Sequence, residues 1–288
     1  MRTRAIVVGA DGTGSSKAAV RWAAREAERR HLPLRIVHTF EWNWRAARSN
    51  SDSDYADMVW KIAESVTATA FDQAREVAPT TPIEGDTLIG HAAQQLLAIA
   101  DDAELLVLGN RGRGGFASLL LGSVSQRVAT HAPCPVVIVR GRGDVTDGPI
   151  AVGVDHSTAA DRILGTAFEA ASRRGCALQI VRSYLPPVPL WLRDDMPPAE
   201  VETPELEAAE ESRLAELVAP WRAKYPEVSV QTTLSQDSAA SVLVGASQIG
   251  QLVVVGSHGH GVVASALLGS TSLQLLHHAN CPVYIARG

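Results

Sequence analysis

The sequence predicts a doubly wound α/β protein built from two tandem domains. Short, apolar, β-branched runs alternate with helical patterns along the chain, which is typical of a parallel sheet covered by helices on both faces. A glycine-rich segment follows one such run at Gly109 and recurs with the same spacing at Gly256. The segments 120–140 and 267–287 are identical at 12 of 21 positions without a gap.

These repeats place the domain boundary near the middle of the chain. AIVVGADGTGSS (5–16) recurs as IAVGVDHSTAA (150–160), so the duplication covers the beginning of each half as well as its end. A period of about 145 residues is the size of a whole domain rather than of a solenoid repeat. We therefore expect domains over residues 1–142 and 148–288.

The first repeat contains five predicted strands and the helices between them. The strands are bounded by turn residues and are AIVVGA, LRIVHTF, a short stretch near IEGDTLI, ELLVLG and PVVIVR. Ser15 and Ser16 offer caps for the first helix. Its apolar stripe is Val20, Ala23, Ala24 and Ala27, matched in the second repeat by Leu164, Ala167, Phe168 and Ala171. The other predicted helices span 54–78, 90–101, 123–132, 203–224, 238–248 and 270–279.

Composition and charge indicate a globular protein and argue against nucleic-acid and membrane partners. The 288 residues are 46% hydrophobic and 20% charged, which is ordinary for globular domains. The net charge of -5 argues against a nucleic-acid partner. No run approaches the roughly 20 apolar residues of a membrane span, and the N-terminus carries no signal-peptide core, so we expect a cytoplasmic protein without membrane insertion.

Three cysteines without a CxxC pair fit a reducing compartment and predict no metal site. Cys134 and Cys281 occupy equivalent positions before a final apolar run. Packing as small buried residues is the simpler interpretation. A redox role is the alternative.

The repeated glycine motif predicts phosphate binding. Gly109, Gly112, Gly122 and Ser123 have the same spacing as Gly256, Gly259, Gly269 and Ser270. Each set follows a predicted strand and precedes a predicted helix. Unpaired backbone N–H groups and the positive end of the helix dipole converge in that geometry.

Asp11 and Asp155 follow the first strand of each repeat. If the first and fourth strands are neighbours, these aspartates face the glycine loop across the crevice where strand order reverses. A carboxylate there could accept hydrogen bonds from ribose hydroxyls or help hold a metal on the phosphates. Capping of the following helix is the alternative, and the roles are compatible.

Three features carry a family resemblance: the glycine spacing, the Asp after the first strand, and the closing CPVVIVR and CPVYIAR strands. In these features the chain resembles the universal stress protein family, in its tandem, ATP-binding form. The resemblance implies Rossmann-like domains of five parallel strands in the order 3-2-1-4-5. It also implies ATP as ligand, with Mg²⁺ as a possible companion, a role in stress response or growth arrest, and homodimers formed through the last strands.

The resemblance also assigns binding residues by position. It places adenine near Ala10, Asp11 and Thr39 in the first domain and near Val154, Asp155 and Ser183 in the second. Ribose would approach Gly109 and Gly122, or Gly256 and Gly269. Phosphates would be surrounded by Gly112, Ser123, Val124 and Ser125, or by Gly259, Ser270, Thr271 and Ser272.

The two loops differ in charge. Arg111 and Arg113 lie among the first glycines, whereas His258 and His260 lie among the second, and His156 replaces Gly12. The arginines could contact the β- and γ-phosphates, and the histidines would donate hydrogen bonds until protonated. Solvation of all four side chains is the alternative. His131 and His278 are expected at helix C-termini.

Long segments follow the second strand of each repeat, at 41–60 and 185–205. Segments of this length are usually functional or partly disordered, and these two could act as lids. Trp42, Trp44 and Trp191 could stack on a base or a partner. Packing onto their own domain is the alternative.

Three functions fit these observations. The leading hypothesis is a non-catalytic ATP-binding regulator that acts on a protein partner of unknown identity. The second is a slow ATPase or nucleotidyl transferase, although there is no P-loop lysine and no convincing pair of nucleophile and base. The third is a dimerising scaffold with one inactive site.

Overall fold

The chain forms two compact units, one ending at Asp144 and the other beginning at Val145. A computed structural model describes residues 4–41, 53–112, 121–184, 204–258 and 268–287. Each unit is a parallel sheet with helices in the connections between its strands, as the alternating sequence pattern predicts. No described helix is long and apolar enough to cross a membrane.

The first unit contains five strands and four described helices. In chain order they are β1 (Ala5–Gly9), α1 (Gly14–Arg30), β2 (Leu34–Phe40), α2 (Ser53–Val77), β3 (Ile83–Ile89), α3 (Ala92–Ala100), β4 (Ala103–Gly109), α4 (Ser123–His131) and β5 (Val136–Val139). The strands pair in parallel in the order β3-β2-β1-β4-β5. The order reverses between β1 and β4, where ligands bind in open α/β sheets.

The second unit repeats this arrangement. Its elements are β6 (Ile150–Gly153), α5 (Ala160–Arg174), β7 (Leu178–Ser183), α6 (Pro204–Lys224), β8 (Val230–Ser235), α7 (Ala239–Ala246), β9 (Leu252–Gly256), α8 (Ser270–His278) and β10 (Val283–Ala286). They pair in the order β8-β7-β6-β9-β10. The reversal here lies between β6 and β9.

The core of each unit lies between its sheet and its helices. Central strands such as β4 are apolar almost throughout because both faces are covered. The predicted stripe of α1 is fully buried, as is that of α5 with Phe168 at its centre. β3 and β8 each pair with one strand of their own unit and are more polar and more exposed.

Some helix limits differ from the sequence prediction. Thr13, rather than Ser15 or Ser16, caps α1, because its side chain accepts a hydrogen bond from the Ser16 N–H. α3 begins at Ala92 instead of residue 90, since Gly90 has a φ of 137°, outside the helical region. α7 starts at Ala239 after Ser238, whose side chain caps it.

The two equivalent cysteines are part of this core. Cys134 is 6% exposed, and Cys281 is fully buried. Burial raises the pKa of the Cys134 thiol to about 11. A thiol that stays protonated at neutral pH is a poor nucleophile, which favours the packing interpretation over a redox role.

Candidate functional site

A cavity lies in the first unit at the carboxyl ends of β1 and β4, with a volume of about 290 Å³. We call it the first cavity. All nine residues assigned to the first site from the sequence line it, namely Ala10, Asp11, Thr39, Gly109, Gly112, Gly122, Ser123, Val124 and Ser125. The chain segments after β1, β2 and β4 therefore meet at the start of α4.

Other lining residues were not predicted. Val37 lies on β2, Leu108 lies on β4, and Ala92 and Leu96 come from the start of α3. They give the cavity an apolar wall beside its polar loop. The periodicity of α3 predicts that it packs on the sheet, but it does not show that Ala92 and Leu96 reach the end of β1.

Asp11 organises the turn between β1 and α1. Its Oδ1 accepts hydrogen bonds from the N–H and the hydroxyl of Thr13, at 3.0 and 2.7 Å. A Cβ added at Gly112 would lie 2.8 Å from Asp11 Oδ2. One carboxylate oxygen thus supports the helix cap, as the alternative interpretation anticipated, and the other lies beside the glycine loop within the cavity lining.

The start of α4 offers N–H groups that take no part in the hydrogen bonds within the helix. Its N-cap is Gly122, which provides no side-chain hydrogen bond, and the Gly122 N–H donates to the Asn110 carbonyl at 2.7 Å. The helical hydrogen bonds begin with the Gln126 N–H, which donates to the Gly122 carbonyl. The N–H groups of the preceding turn have no intrahelical partner, and they form an anion-binding geometry.

The serines in this turn have different roles. Ser123 is exposed at the cavity. The Ser125 hydroxyl is buried and donates to the Gly109 carbonyl at 2.7 Å, as the Ser272 hydroxyl does to Gly256 in the second unit. Ser125 and Ser272 therefore fasten the helix start to the strand end, and their hydroxyls are less available to a phosphate than the sequence suggested.

Close packing, rather than a left-handed backbone, explains why a glycine is needed at position 109. A Cβ at this position would lie 2.5 Å from Ser15 Oγ and 2.8 Å from the Ser15 carbonyl carbon. Ser15 in turn donates to Asn110 Oδ1 at 2.8 Å. The glycines of the two motifs that the structure describes are not among the residues with a positive φ. Gly12, in the β1–α1 turn, does have one, at 83°.

The second unit has a cavity at the equivalent place, with a volume of about 400 Å³. This second cavity is lined by eight of the nine predicted residues, namely Val154, Asp155, Ser183, Gly256, Gly269, Ser270, Thr271 and Ser272. Gly259 lies outside the described residues. The loop is held as in the first unit, because the Gly269 N–H donates to the Ser257 carbonyl at 2.8 Å. Asp155 Oδ1 likewise accepts from the Ser157 N–H at 2.9 Å.

The cavities differ in their side chains. Arg111 lines the first cavity, and His258 occupies the matching position in the second. Ile163 of α5 lines the second cavity, where the first repeat has Ala19 at the equivalent sequence position. Arg113, His260, Trp42, Trp44 and Trp191 lie outside the described residues, so their predicted roles stay predictions.

His156 belongs to a polar cluster with Arg182 and Glu210. Its Nε2 lies 3.2 Å from Glu210 Oε2, and the same oxygen lies 2.8 Å from Arg182 Nε. The Arg182 and Glu210 side chains are only 3% and 4% exposed. The equivalent strand position in the first unit is His38, whose Nδ1 is 2.7 Å from the Ala10 carbonyl oxygen. His156 is therefore tied to α6 and is not part of the cavity lining.

No group of three or more His, Cys, Asp or Glu that could hold a metal ion occurs within the described ranges. The cavities offer single carboxylates instead, Asp11 in the first and Asp155 in the second. One carboxylate is consistent with Mg²⁺ only where ligand phosphates supply further oxygens.

Comparison with known proteins finds the same family model in both halves of the chain. A model of the universal stress protein family matches residues 2–140 and 148–287. Universal stress protein Rv2005c of Mycobacterium tuberculosis is 34% identical over 98% of this chain and 96% of its own length. A universal stress protein of Mycolicibacterium smegmatis is 32% identical with the same coverage.

A solved structure extends the likeness to the fold. The crystal structure of a universal stress protein from Archaeoglobus fulgidus superposes with a TM-score of 0.72 at 19% identity, covering 100% of this chain and 99% of that one. The two family matches together span nearly the whole sequence. This chain therefore belongs to the universal stress protein family, in a form with two copies of the family domain.

Proposed function

We propose that each unit binds one ATP and that nucleotide occupancy regulates a protein partner during stress or growth arrest. The observation that carries the proposal is the cavity at the β1–β4 switch point, bounded by an uncapped helix N-terminus and repeated at β6 and β9. A nucleotide needs an apolar surface for its base and backbone donors for its phosphates. Each cavity contains both.

The first cavity offers groups that suit the base and the phosphates of ATP. Val37 and Leu96 provide apolar surface for a base near Ala10 and Thr39. The first turn of α4 provides N–H donors for the phosphates, and Arg111 adds a fixed positive charge beside them. A volume of about 290 Å³ is just below the ~300–1,000 Å³ typical of ligand pockets.

If Mg²⁺ accompanies the nucleotide, Asp11 is the residue that would help hold it. Its Oδ2 lies on the glycine-loop side, while its Oδ1 is used by Thr13. Bound Mg²⁺ would neutralise phosphate charge. The protein would contribute orientation through the Asp11–Thr13 turn and the Gly122–Asn110 hydrogen bond.

Regulation fits the site better than rapid hydrolysis. The ionisable side chains among the described lining residues are Asp11 and Arg111 in the first cavity, and Asp155 and His258 in the second. Asp11 and Asp155 are each partly engaged in a helix-start turn, which limits their ability to activate a water molecule. Slow ATP hydrolysis or nucleotidyl transfer is the second candidate, and a dimerising scaffold is the third.

The test is to identify the small molecule that leaves the natively purified protein on denaturation, using mass spectrometry, and then to add ATP in excess. We expect ATP or ADP to be released, and added ATP to raise the melting temperature without multiple turnovers. Absence of nucleotide together with an unchanged melting temperature would refute ATP binding. Sustained phosphate release would instead favour the enzyme.

The remaining parts of the proposal concern the cellular setting. We expect the protein to act in the cytoplasm and to form homodimers through its last strands. Analytical ultracentrifugation with and without ATP tests the assembly. Affinity capture in the two nucleotide states tests for a regulatory partner, which should be enriched in one state only.

A further inference from the structure

The strands β2 and β7 each carry a buried polar side chain at the same position. In β2 it is His38, which is 3% exposed, and in β7 it is Arg182. Each lies one residue before a residue that lines a cavity, Thr39 in the first unit and Ser183 in the second. Buried polar side chains are hydrogen-bonded in stable proteins, so the partner shows what each side chain holds in place.

His38 holds the residue that follows β1. Its Nδ1 lies 2.7 Å from the carbonyl oxygen of Ala10. Because a carbonyl oxygen only accepts hydrogen bonds, Nδ1 carries the proton and donates it. The Ala10 N–H in turn donates to the Val37 carbonyl at 2.9 Å. Both backbone polar groups of Ala10 are therefore bound to neighbouring residues of β2.

The peptide group between Ala10 and Asp11 is held at both ends. Its carbonyl accepts from His38, and its N–H, which belongs to Asp11, donates to Ser16 Oγ at 3.3 Å. Since a peptide group is planar, these two hydrogen bonds together fix its orientation. Ala10 and Asp11 both line the first cavity, and that orientation sets the direction in which the Asp11 side chain leaves the backbone. His38 thus acts on the cavity through its neighbours.

The second unit supports the equivalent turn in another way. Arg182 pairs with Glu210 of α6 at 2.8 Å, and the same carboxylate oxygen lies 3.2 Å from His156 in the turn after β6. His156 occupies the position that Gly12 has in the first unit. In both units, a buried side chain of the second strand is therefore linked to the turn after the first strand, directly or through a helix. The recurrence of this link with different residues indicates that the turn must be held.

We propose that His38 is a positioning residue for the first nucleotide site, which fixes the Ala10–Asp11 peptide group on the side of the site where the base binds. Without this hydrogen bond the peptide group can rotate, and the base and ribose lose contacts. The phosphates keep theirs, because they bind at the start of α4. The inference rests on the proposed function, because it requires a nucleotide in the first cavity.

The experiment compares His38→Leu with His38→Asn in the full chain. Leucine removes the donor, whereas asparagine keeps an N–H group on the atom bonded to Cγ, where histidine has Nδ1. His38→Gln, which moves the donor one bond further along the side chain, replaces His38→Leu if the leucine variant does not fold. Thermal unfolding without ligand identifies a temperature at which every variant is folded.

Calorimetry then measures the binding of ATP and of inorganic tripolyphosphate, which has the phosphate chain of ATP without its base and ribose. Mg²⁺ is left out, so that metal binding by Asp11 does not contribute. The Gly112→Glu chain, in which the first cavity is expected to be blocked, gives the affinity of the second site alone. The same chain with His38→Leu added serves as the control for effects outside the first unit.

We expect His38→Leu to lower the ATP affinity of the first site about tenfold, the factor that corresponds to one hydrogen bond of ordinary strength. The affinity for tripolyphosphate should be unchanged. His38→Asn should restore most of the ATP affinity. In the Gly112→Glu chain, adding His38→Leu should leave ATP binding as it was.

Equal losses for ATP and tripolyphosphate would show that the substitution distorts the whole site, and they would overturn the inference. Unchanged ATP affinity in His38→Leu would do the same, as would an asparagine variant as weak as the leucine variant. Each of these results leaves ATP binding by the original chain, and so the proposed function, intact. If the first site of the original chain binds no ATP, the proposed function of the first unit fails together with the inference.

Discussion

At the scale of single residues, the glycines at the ends of the central strands allow neighbouring groups to approach closely. A Cβ at Gly9 would lie 2.5 Å from Leu108 Cδ2, and one at Gly153 would lie 2.7 Å from Leu243 Cδ1. At Gly109 the opposing atoms include the Ser15 carbonyl group, which is backbone and cannot rotate away as a side chain can. Glycines at these strand ends therefore allow close packing around the cavities as well as leaving room for a ligand.

Gly109→Ala should weaken both the fold and the first site. Because the added Cβ meets backbone, we expect a loss of about 1–3 kcal/mol in the free energy of unfolding, typical of overpacking. ATP affinity at the first site should fall by at least about tenfold, the equivalent of 1.4 kcal/mol. Urea unfolding and calorimetry measure the two effects.

Gly14→Ala is the matched control. Gly14 begins α1, and a Cβ there would have no atom within 4 Å. This variant should be as stable as the original chain or more stable by about 0.5–1 kcal/mol, because alanine favours the helix. Equal stability of the Gly109 and Gly14 variants would show that the approach of Ser15 does not constrain the loop.

Asp144 gives a stability effect that depends on pH. Arg21 donates two hydrogen bonds to its carboxylate, at 2.9 and 2.7 Å, and this interaction holds the pKa of Asp144 below its ordinary value of 3.8. The stabilisation is therefore complete above 3.8 and is lost as the pH falls through the lower folded-state pKa. The pair is partly exposed, so it contributes only about 0.2–1 kcal/mol.

Asp144→Asn should accordingly reduce the free energy of unfolding at pH 7 by that small amount. The difference from the original chain should shrink at about pH 3, which is below the ordinary pKa of 3.8 at which the carboxyl group of the unfolded chain takes up its proton. Urea unfolding at the two pH values checks this. Equal differences in the free energy of unfolding at the two pH values would show that the charge of Asp144 does not contribute to stability.

At the scale of helices and strands, burial patterns were predictable where they depend on neighbouring positions in the sequence. The stripes of α1 and α5 repeat every three or four residues, and their members are buried. The cap of α1 was assigned wrongly because Thr13, Ser15 and Ser16 are all capping residues. The choice depends on Asp11 and Asn110, which engage Thr13 and Ser15.

α6 shows what sequence periodicity could not predict. Glu210 lies on its buried face with Leu214 and Val218, where an apolar residue would be expected. Its partners are Arg182 on β7 and His156 after β6, which are distant in the sequence. Several carboxylates lie on this helix, and the sequence does not indicate which of them is buried. The ionic cluster of Glu210, Arg182 and His156 could therefore be identified only from the structure.

Glu210→Ala should destabilise the second unit strongly. It would leave Arg182, only 3% exposed, without the carboxylate that compensates its charge, and breaking a buried pair in this way costs about 3–5 kcal/mol. Glu211→Ala is the control, since Glu211 is exposed on the same helix. Urea unfolding should separate the two variants clearly. Similar small losses in both would indicate that solvent compensates the charge of Arg182.

At the scale of the whole molecule, the residues that the family resemblance assigned to each candidate site lie together in one cavity. Gly259 lies outside the described residues, and the other seventeen of the eighteen assigned residues line one of the two cavities, because strand ends and glycine loops follow from local patterns. Their role in binding a nucleotide stays a prediction. The contacts from α3, α5 and α7 were not predicted, since a helix face reaches the cavity only through tertiary packing.

The central claim is that both units bind ATP, and the number of ATP molecules bound per chain tests it most directly. Calorimetry on nucleotide-free protein at saturating ATP and Mg²⁺ should give two sites in the original chain and one in the Gly112→Glu variant. That substitution crowds Asp11, since even its Cβ would lie 2.8 Å from Oδ2. A single site in the original chain at saturation would contradict ATP binding by one unit, and no binding would contradict it for both.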